Sequence, residues 1–264
     1  MSTRDTEKYS VPGLERGLRI LSEFSRHTPT LTAPELAKRL DVPRTTVFRL
    51  LVTLESLGFV ERARNGRDYS LGTAVLKLGF EYLASLSLTE LSRPLLERLR
   101  DETSYSSNLV IRDGRDIVYI QKVASSSLFT SSVHIGTRLP AHATVLGRVL
   151  LCNHSFQELQ DLYPEDQLQS YGPHTPPTVK ELYKLLRTDK EHGYVLEEGF
   201  FENNISTIAA PVYDESGNVA AALGLTVPHI HIPPGDKQAL IDKVRATAHD
   251  LSVCLNHSPQ TRAD

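Results

Sequence analysis

The chain has 264 residues, of which 40% are hydrophobic and 23% charged, and its formal net charge is −3. It is long enough for two domains, apolar enough to bury a real core, and too close to neutral to be basic throughout. Two distant cysteines, Cys152 and Cys254, argue against a zinc module or a disulfide framework and suit a reducing compartment.

The start, MSTRDTEKYS, is polar, and no apolar run is long enough to span a bilayer, so a soluble, cytoplasmic protein with no membrane partner is expected. Residues 1–10 read as a disordered tail. From Val11 to Arg26, Leu14, Leu18, Leu21 and Phe24 recur at helical spacing, which predicts a helix packed under the segment that follows. Thr32-Ala33-Pro34-Glu35 is a helix start: a hydroxyl cap, an early proline and a carboxylate three residues on. Asp41-Val42-Pro43 can only turn. A second helix then runs from Arg44 to Leu57, with Val47, Leu50, Leu51, Leu54 and Leu57 on its buried face. Arg44, Thr45, Thr46, Phe48, Arg49 and Thr53 are left outside. Arginine that can fork onto guanine, beside threonine with a hydroxyl and a methyl, suits a helix laid in a DNA groove. Two strand-like runs follow, joined at Asn65-Gly66, a hairpin signal whose type I′ form needs positive φ at both residues. Arg62, Arg64 and Arg67 crowd the tip of that hairpin, where they could reach a groove or backbone phosphates. Helix, turn, helix and hairpin in this order read as a winged helix-turn-helix over residues 11–72. The first 72 residues hold 12 Lys/Arg against 9 Asp/Glu, a net of +3, so the positive end is the end with this module.

A helix from Thr73 to Leu86 carries Val75, Leu76, Leu78, Tyr82, Leu83 and Leu86, more apolar surface than a lone linker helix could expose. Residues 73–88 are therefore read as a linker that contacts a second subunit. Another helix begins at Thr89-Glu90. Short strands then appear at SSNLVIR, IVYIQKVA and SLFTSSVHI, and a helix over Ala143–Leu151 follows Pro140. A short helix spans Ser155–Leu162, a loop with four prolines spans Tyr163–Pro177, and Thr178 to Glu181 forms a capping box for a helix ending at Gly193. Strands resume at YVLEE, ISTIAAPVYD and VAAALGLTV before a final helix. Residues 89–257 thus form an α+β domain with a largely antiparallel sheet and flanking helices, and 258–264 a disordered tail.

Four stretches in order, VPGLERGLRIL, the helix-turn-helix with its wing, LPAHATVLGRVLL and HGYVLEEGFFENNISTIAAPVYDESGNVAAALGLTV, make the chain resemble the IclR family of bacterial transcriptional regulators over nearly its whole length. The resemblance implies a winged-helix domain on double-stranded operator DNA, a dimerising linker helix and a GAF-like C-terminal domain that binds a small carboxylate effector. It also implies homodimers or dimers of dimers. Carried over by position, the effector pocket would use the backbone amides of Val145 and Leu146, with Glu197, Thr207, Gly224 and Thr226. A helix N-terminus does offer free N–H groups to a carboxylate. Members that bind very small acids tend to have Gly-Ala and Cys or Ser at these places; here Val145-Leu146, Thr207 and Gly224 stand instead. The segments Gly136-Thr137-Arg138-Leu139-Pro140-Ala141 and Gly147-Arg148-Val149-Leu150-Leu151 are similar to members governing aromatic-acid catabolism, which points to an aromatic carboxylate with Arg138 or those amides near its acid group. Arg138 could equally belong to a surface ion pair.

Two rivals stand beside this reading. An enzyme would need a nucleophile elbow, a phosphate loop or a paired-histidine zinc motif, and none is present. No cofactor is expected. His229-Ile230-His231 could ligate a metal if extended, though such a pair more often ends a strand in water. The other rival keeps the sensor domain and makes the N-terminal module a protein-interaction wing.

Overall fold

The computed structural model describes residues 10–125, 133–172, 174–199, 205–228 and 231–257. The chain divides between Ser85 and Leu86 into two compact units.

The first unit runs α1 (Pro12–Ser22), β1 (Leu31–Thr32), α2 (Ala33–Leu40), α3 (Arg44–Ser56), β2 (Val60–Arg62), β3 (Asp68–Leu71) and α4 (Ala74–Ser85). Ile20, Phe24, Leu36, Val47, Leu51, Val60 and Tyr69 form its core. The capping box at Thr32 closes as the sequence predicts: Thr32 Oγ1 accepts from the Glu35 amide, and the Glu35 carboxylate accepts from the Thr32 amide at 2.8 Å. Two expectations need correction. Leu14 and Leu18 do not pack inward; they are 63% and 56% exposed, and α1 turns Gly17 and Ile20 to the core. The helix carries two neighbouring apolar stripes, and periodicity alone does not say which one the core takes. Leu57 is likewise exposed, because α3 stops at Ser56 and Gly58, at φ +74°, turns the chain into the wing.

The wing has three strands, ordered β1-β3-β2, where the sequence suggested two. Its tip is not a type I′ turn. Only Gly66 has positive φ; its amide donates to the Ala63 carbonyl, and the Asn65 side chain accepts from the amides of Arg67 and Asp68. Asn65 therefore supplies hydrogen bonds, not a left-handed backbone. Between α2 and α3 a non-glycine residue takes that strained conformation: Asp41 sits at φ 51°, ψ 49°. Left-handed backbone costs a residue with a β-carbon roughly 1 kcal/mol. Asp41→Gly is thus expected to raise the urea midpoint of this unit, by up to about 1 kcal/mol in stability, and Asp41→Ala to lower it.

The second unit runs α5 (Ser87–Thr103), β4 (Ser106–Asp113), β5 (Asp116–Val123), β6 (Arg138–Pro140), a 3₁₀ turn (Ala141–Ala143), α6 (Val145–Leu151), α7 (Phe156–Leu162), α8 (Val179–His192), β7 (Val195–Glu198), β8 (Ser206–Tyr213), β9 (Val219–Val227) and α9 (Pro234–His257). Its six-stranded sheet is antiparallel throughout, ordered β6-β5-β4-β9-β8-β7. Helices α5 and α9 pack together on one face, and α6, backed by α8, covers the other. Of the strand expected at SLFTSSVHI, residues 127–132 lie outside the described residues, and Val133 to Ile135 form no strand. Beyond them β6, unforeseen because Pro140 ends it, adds an edge strand to β5. The capping box at Thr178 is only half made: Thr178 accepts from the Glu181 amide. The complete one in this unit is at Ser155 and Glu158. Gly147 lets α6 lie against the preceding turn, since a β-carbon there would fall 2.1 Å from the Ala141 carbonyl oxygen. That contact fixes where α6 begins over the sheet.

Candidate functional site

Helix α3 presents Thr45, Phe48, Arg49, Val52 and Thr53 outward at helical spacing, with Arg44 in its first turn and Thr46 half-buried. Pro43 caps the helix without a side-chain acceptor, so the amides of Arg44 and Thr45 have no intrahelical partner. Phe48 and Val52 are 51% and 44% exposed, an apolar pair of the kind that meets thymine methyls. Val52 was missed in the sequence, although it lies one turn beyond Phe48. The arginines divide into two groups. Arg19, Arg39 and Arg62 are paired with Glu15, Glu23 and Glu55. Arg16 and Arg26, and on α3 and the wing Arg44, Arg49, Arg64 and Arg67, make no ion pair among the described residues and are exposed. Arg62 is not at the wing tip. It stands in β2 with Glu55 at 3.1 Å, its guanidinium 5.0 Å from the Tyr69 ring centre and 6.0 Å from that of Phe48, so it ties the wing to α3.

In the second unit the strand register gathers polar side chains under α6. Directly opposed residues share a sheet face, so Lys122–Asn108–Gly224 and, two residues further along β9, Thr226–Thr207–Glu197 lie on one face of five strands; the Asn108–Thr226 hydrogen bond joins the two sets into one staggered polar row. Leu146 lies on the same face: a β-carbon at Gly224 would stand 2.7 Å from its Cδ2, so only glycine there lets α6 come this close. Val145 and Leu146 are buried in the core cluster, and Thr144 caps α6 by accepting from the Gly147 amide. Four of the residues expected at an effector pocket, Leu146, Glu197, Thr207 and Thr226, thus share this face with Gly224. Asn108 and Lys122 join them, and neither was foreseen; a lone amide in SSNLVIR shows its partners only once the register is known. Lys122 donates from Nζ to the Val133 carbonyl at 2.6 Å.

Arg138 stands apart from this row. It is exposed on the edge strand β6, with Asp113 at 2.8 Å and Asp116 at 3.2 Å, which corrects its assignment to the ligand's acid group. Burial works against its charge, but the two aspartates outweigh that and raise its pKa. The buried cation nearest the row is Arg148, four-residue spacing past Thr144 on α6. Its Nε and Nη2 fork onto Asp189 at 2.8 and 2.6 Å, and its Nη1 reaches Glu197 at 2.5 Å. Glu197 therefore enters the row already engaged.

At the end of β7, Glu198 accepts from Lys237 Nζ at 2.8 Å, from the Ile232 amide at 2.9 Å and pairs with His231 at 3.1 Å. Lys237 first, then the Ile232 amide and His231, hold its carboxyl down to about 2. His231 is thus a partner of Glu198, and residues 229 and 230 of the His-Ile-His stretch lie outside the described residues. A carboxyl with a depressed folded pKa stabilises the fold above its unfolded value and loses that contribution as pH falls through the folded one. Melting temperatures taken from pH 5 down to pH 2 should accordingly fall less steeply for Glu198→Gln than for the parent chain, with the variant less stable at neutral pH.

A winged helix-turn-helix followed by an antiparallel-sheet domain is the architecture of a DNA-binding transcriptional regulator. Family models agree: the IclR helix-turn-helix domain matches residues 13–64, and the C-terminal domain of the bacterial transcriptional regulator IclR matches residues 80–253. The Pca regulon regulatory protein of Pseudomonas putida is 32% identical over 217 residues, 82% of this chain and 74% of that protein. The transcriptional repressor AllR of Escherichia coli K12 is 28% identical over 242 residues, 92% of this chain and 89% of its own. Among solved structures, a protein of Rhodococcus sp. RHA1 described as a transcriptional regulator aligns with a TM-score of 0.81 at 34% identity, covering 93% of this chain and 98% of that one. An IclR homologue of Microbacterium hydrocarbonoxydans, solved with 4-hydroxybenzoate, shares the fold at a TM-score of 0.81 and 24% identity, covering 93% and 100%. The chain belongs to the IclR family of DNA-binding transcriptional regulators and is not an enzyme.

Proposed function

We propose that α3 reads an operator from the major groove with Arg44, Thr45, Phe48, Arg49 and Thr53, and that Arg64 and Arg67 on the wing hold flanking phosphates. The observation that carries this reading is where four exposed arginines without ion pairs among the described residues stand: Arg44 and Arg49 on the outward face of α3, and Arg64 and Arg67 on the adjoining wing. Arg62 acts through its place between Phe48, Tyr69 and Glu55, setting the wing against the reading helix. Leu14 and Leu18 on α1, with Leu76, Leu78, Phe80 and Tyr82 on α4, are exposed apolar surface within the first unit. They support homodimerisation, with dimers of dimers as the larger assembly and a two-fold operator to match.

The effector is a small carboxylate, an aromatic acid, received on the row of Asn108, Gly224, Thr226, Thr207 and Glu197 beneath Val145 and Leu146. The apolar Val145 and Leu146 favour a ligand with a carbon face over a tiny hydrophilic acid. The Pseudomonas putida relative's tie to a Pca regulon, and 4-hydroxybenzoate in a protein of the same fold, support the aromatic class. Effector binding shifts operator affinity only by favouring one of two arrangements. Calorimetry on the full chain with benzoate, hydroxybenzoates, protocatechuate, pyruvate and glyoxylate tests the class. Binding of an aromatic acid is expected; tight binding of pyruvate or glyoxylate alone overturns it.

A further inference from the structure

Asn108 is 2% exposed, and its two amide atoms are treated unequally. Nδ2 donates to Thr226 Oγ1 at 3.0 Å, whereas Oδ1, fully buried, has no donor among the described residues. A buried carbonyl oxygen without a donor is costly, and folded proteins keep few of them. Neither directly opposed residue donates to it. Gly224, directly opposite on β9, has no side chain, and Lys122, opposite on β5, sends its ammonium to the Val133 carbonyl. The Thr226 hydroxyl already accepts from Asn108, so its proton is free to donate elsewhere.

We infer that Asn108 is the specificity-determining residue of the effector site, its Oδ1 accepting from a hydroxyl or N–H group on the ligand, so that the effector is a hydroxylated or amino-substituted acid and not a plain one. This rests on the reading of the row as the effector site and adds what that reading lacks: a group that distinguishes among acids of one shape. A site built to pair a ligand donor discriminates against the analogue without it, because binding the analogue seals the acceptor away unpaired. Asn108→Leu keeps the approximate volume and removes both the acceptor and the need for a donor.

The experiment compares the full-length parent and Asn108→Leu by calorimetry on benzoate against 3- and 4-hydroxybenzoate, and by thermal melting without ligand. The parent should prefer a hydroxylated acid by about tenfold or more, and the variant should bring that preference to within about threefold while binding benzoate no worse. Without ligand the variant should melt at the same temperature or higher, since an orphaned acceptor has been replaced by apolar surface. A retained hydroxyl preference in the variant overturns the proposal, and so does a melting temperature several degrees lower, which would make Asn108 a structural tie to Thr226. Should no acid of the series bind the parent, the aromatic-acid reading falls, and the melting comparison alone then decides for or against a ligand-facing Asn108.

Discussion

Replacing Arg44 and Arg49 together by alanine is expected to cost the operator complex roughly 2–6 kcal/mol, with little change in the melting of the free protein. Both side chains are exposed and neither makes an ion pair among the described residues, so the fold loses no described ion pair when they go. The loss falls on the complex, where each is placed to fork onto a base edge at about 1–3 kcal/mol. It should be specific: affinity for a scrambled duplex changes less than affinity for the operator. Arg64→Ala and Arg67→Ala provide the contrast. These sit at the wing tip around Gly66, and as phosphate contacts they should weaken binding to every sequence alike and flatten its dependence on salt by about one ion each. Fluorescence anisotropy on both duplexes at several salt concentrations separates the two patterns. Unchanged operator affinity in the double alanine variant would make the N-terminal module a protein-binding wing.

How far such positions could be read from the sequence depended on whether the signal was local. The α2 start at Thr32 and the outward face of α3 are set by residues within a few places of one another, and those were legible. The misreadings arose where a second segment decides. Leu14 and Leu18 obey helical spacing as well as Ile20 does, and only packing on α3 selects between the stripes. Arg62 reads as one of three arginines on a hairpin until Glu55, seven residues earlier, is brought beside it. Arg138 follows the same pattern with Asp113 and Asp116 from the β4–β5 turn. In the second unit the row from Lys122 to Glu197 spans strands separated by most of the domain, so its family-matched members could be named from resemblance, but Asn108 and Lys122 emerge only from register.

The most damaging single change outside the DNA-reading face should be Arg148→Met, at about 3–5 kcal/mol from the second unit. Arg148 is 3% exposed, on a helix, α6, held tightly against the sheet at Gly224 and against its own lead-in turn at Gly147. Burial opposes the charges on both sides of the pair: it works against the Arg148 cation and lifts the Asp189 carboxyl above its usual value. The forked bonds to Asp189 and the bond to Glu197 more than compensate at the guanidinium, whose pKa is raised. Methionine keeps much of the side chain's length but leaves Asp189, 7% exposed, without its partner. The same loss frees Glu197 at the end of the polar row, so ligand affinity should fall even in the protein that remains folded. Adding Asp189→Leu removes the stranded carboxylate and is expected to recover much of the stability, because exchanging a buried ion pair for apolar groups is far cheaper than breaking it. Ligand affinity should stay low in that double variant, since Glu197 is still released. Urea denaturation followed by circular dichroism, with calorimetry on the refolded protein, reads both quantities. An unchanged urea midpoint for Arg148→Met would show that α6 is held by its apolar contacts alone, and equal recovery of stability and ligand affinity in the double variant would remove Glu197 from the effector site.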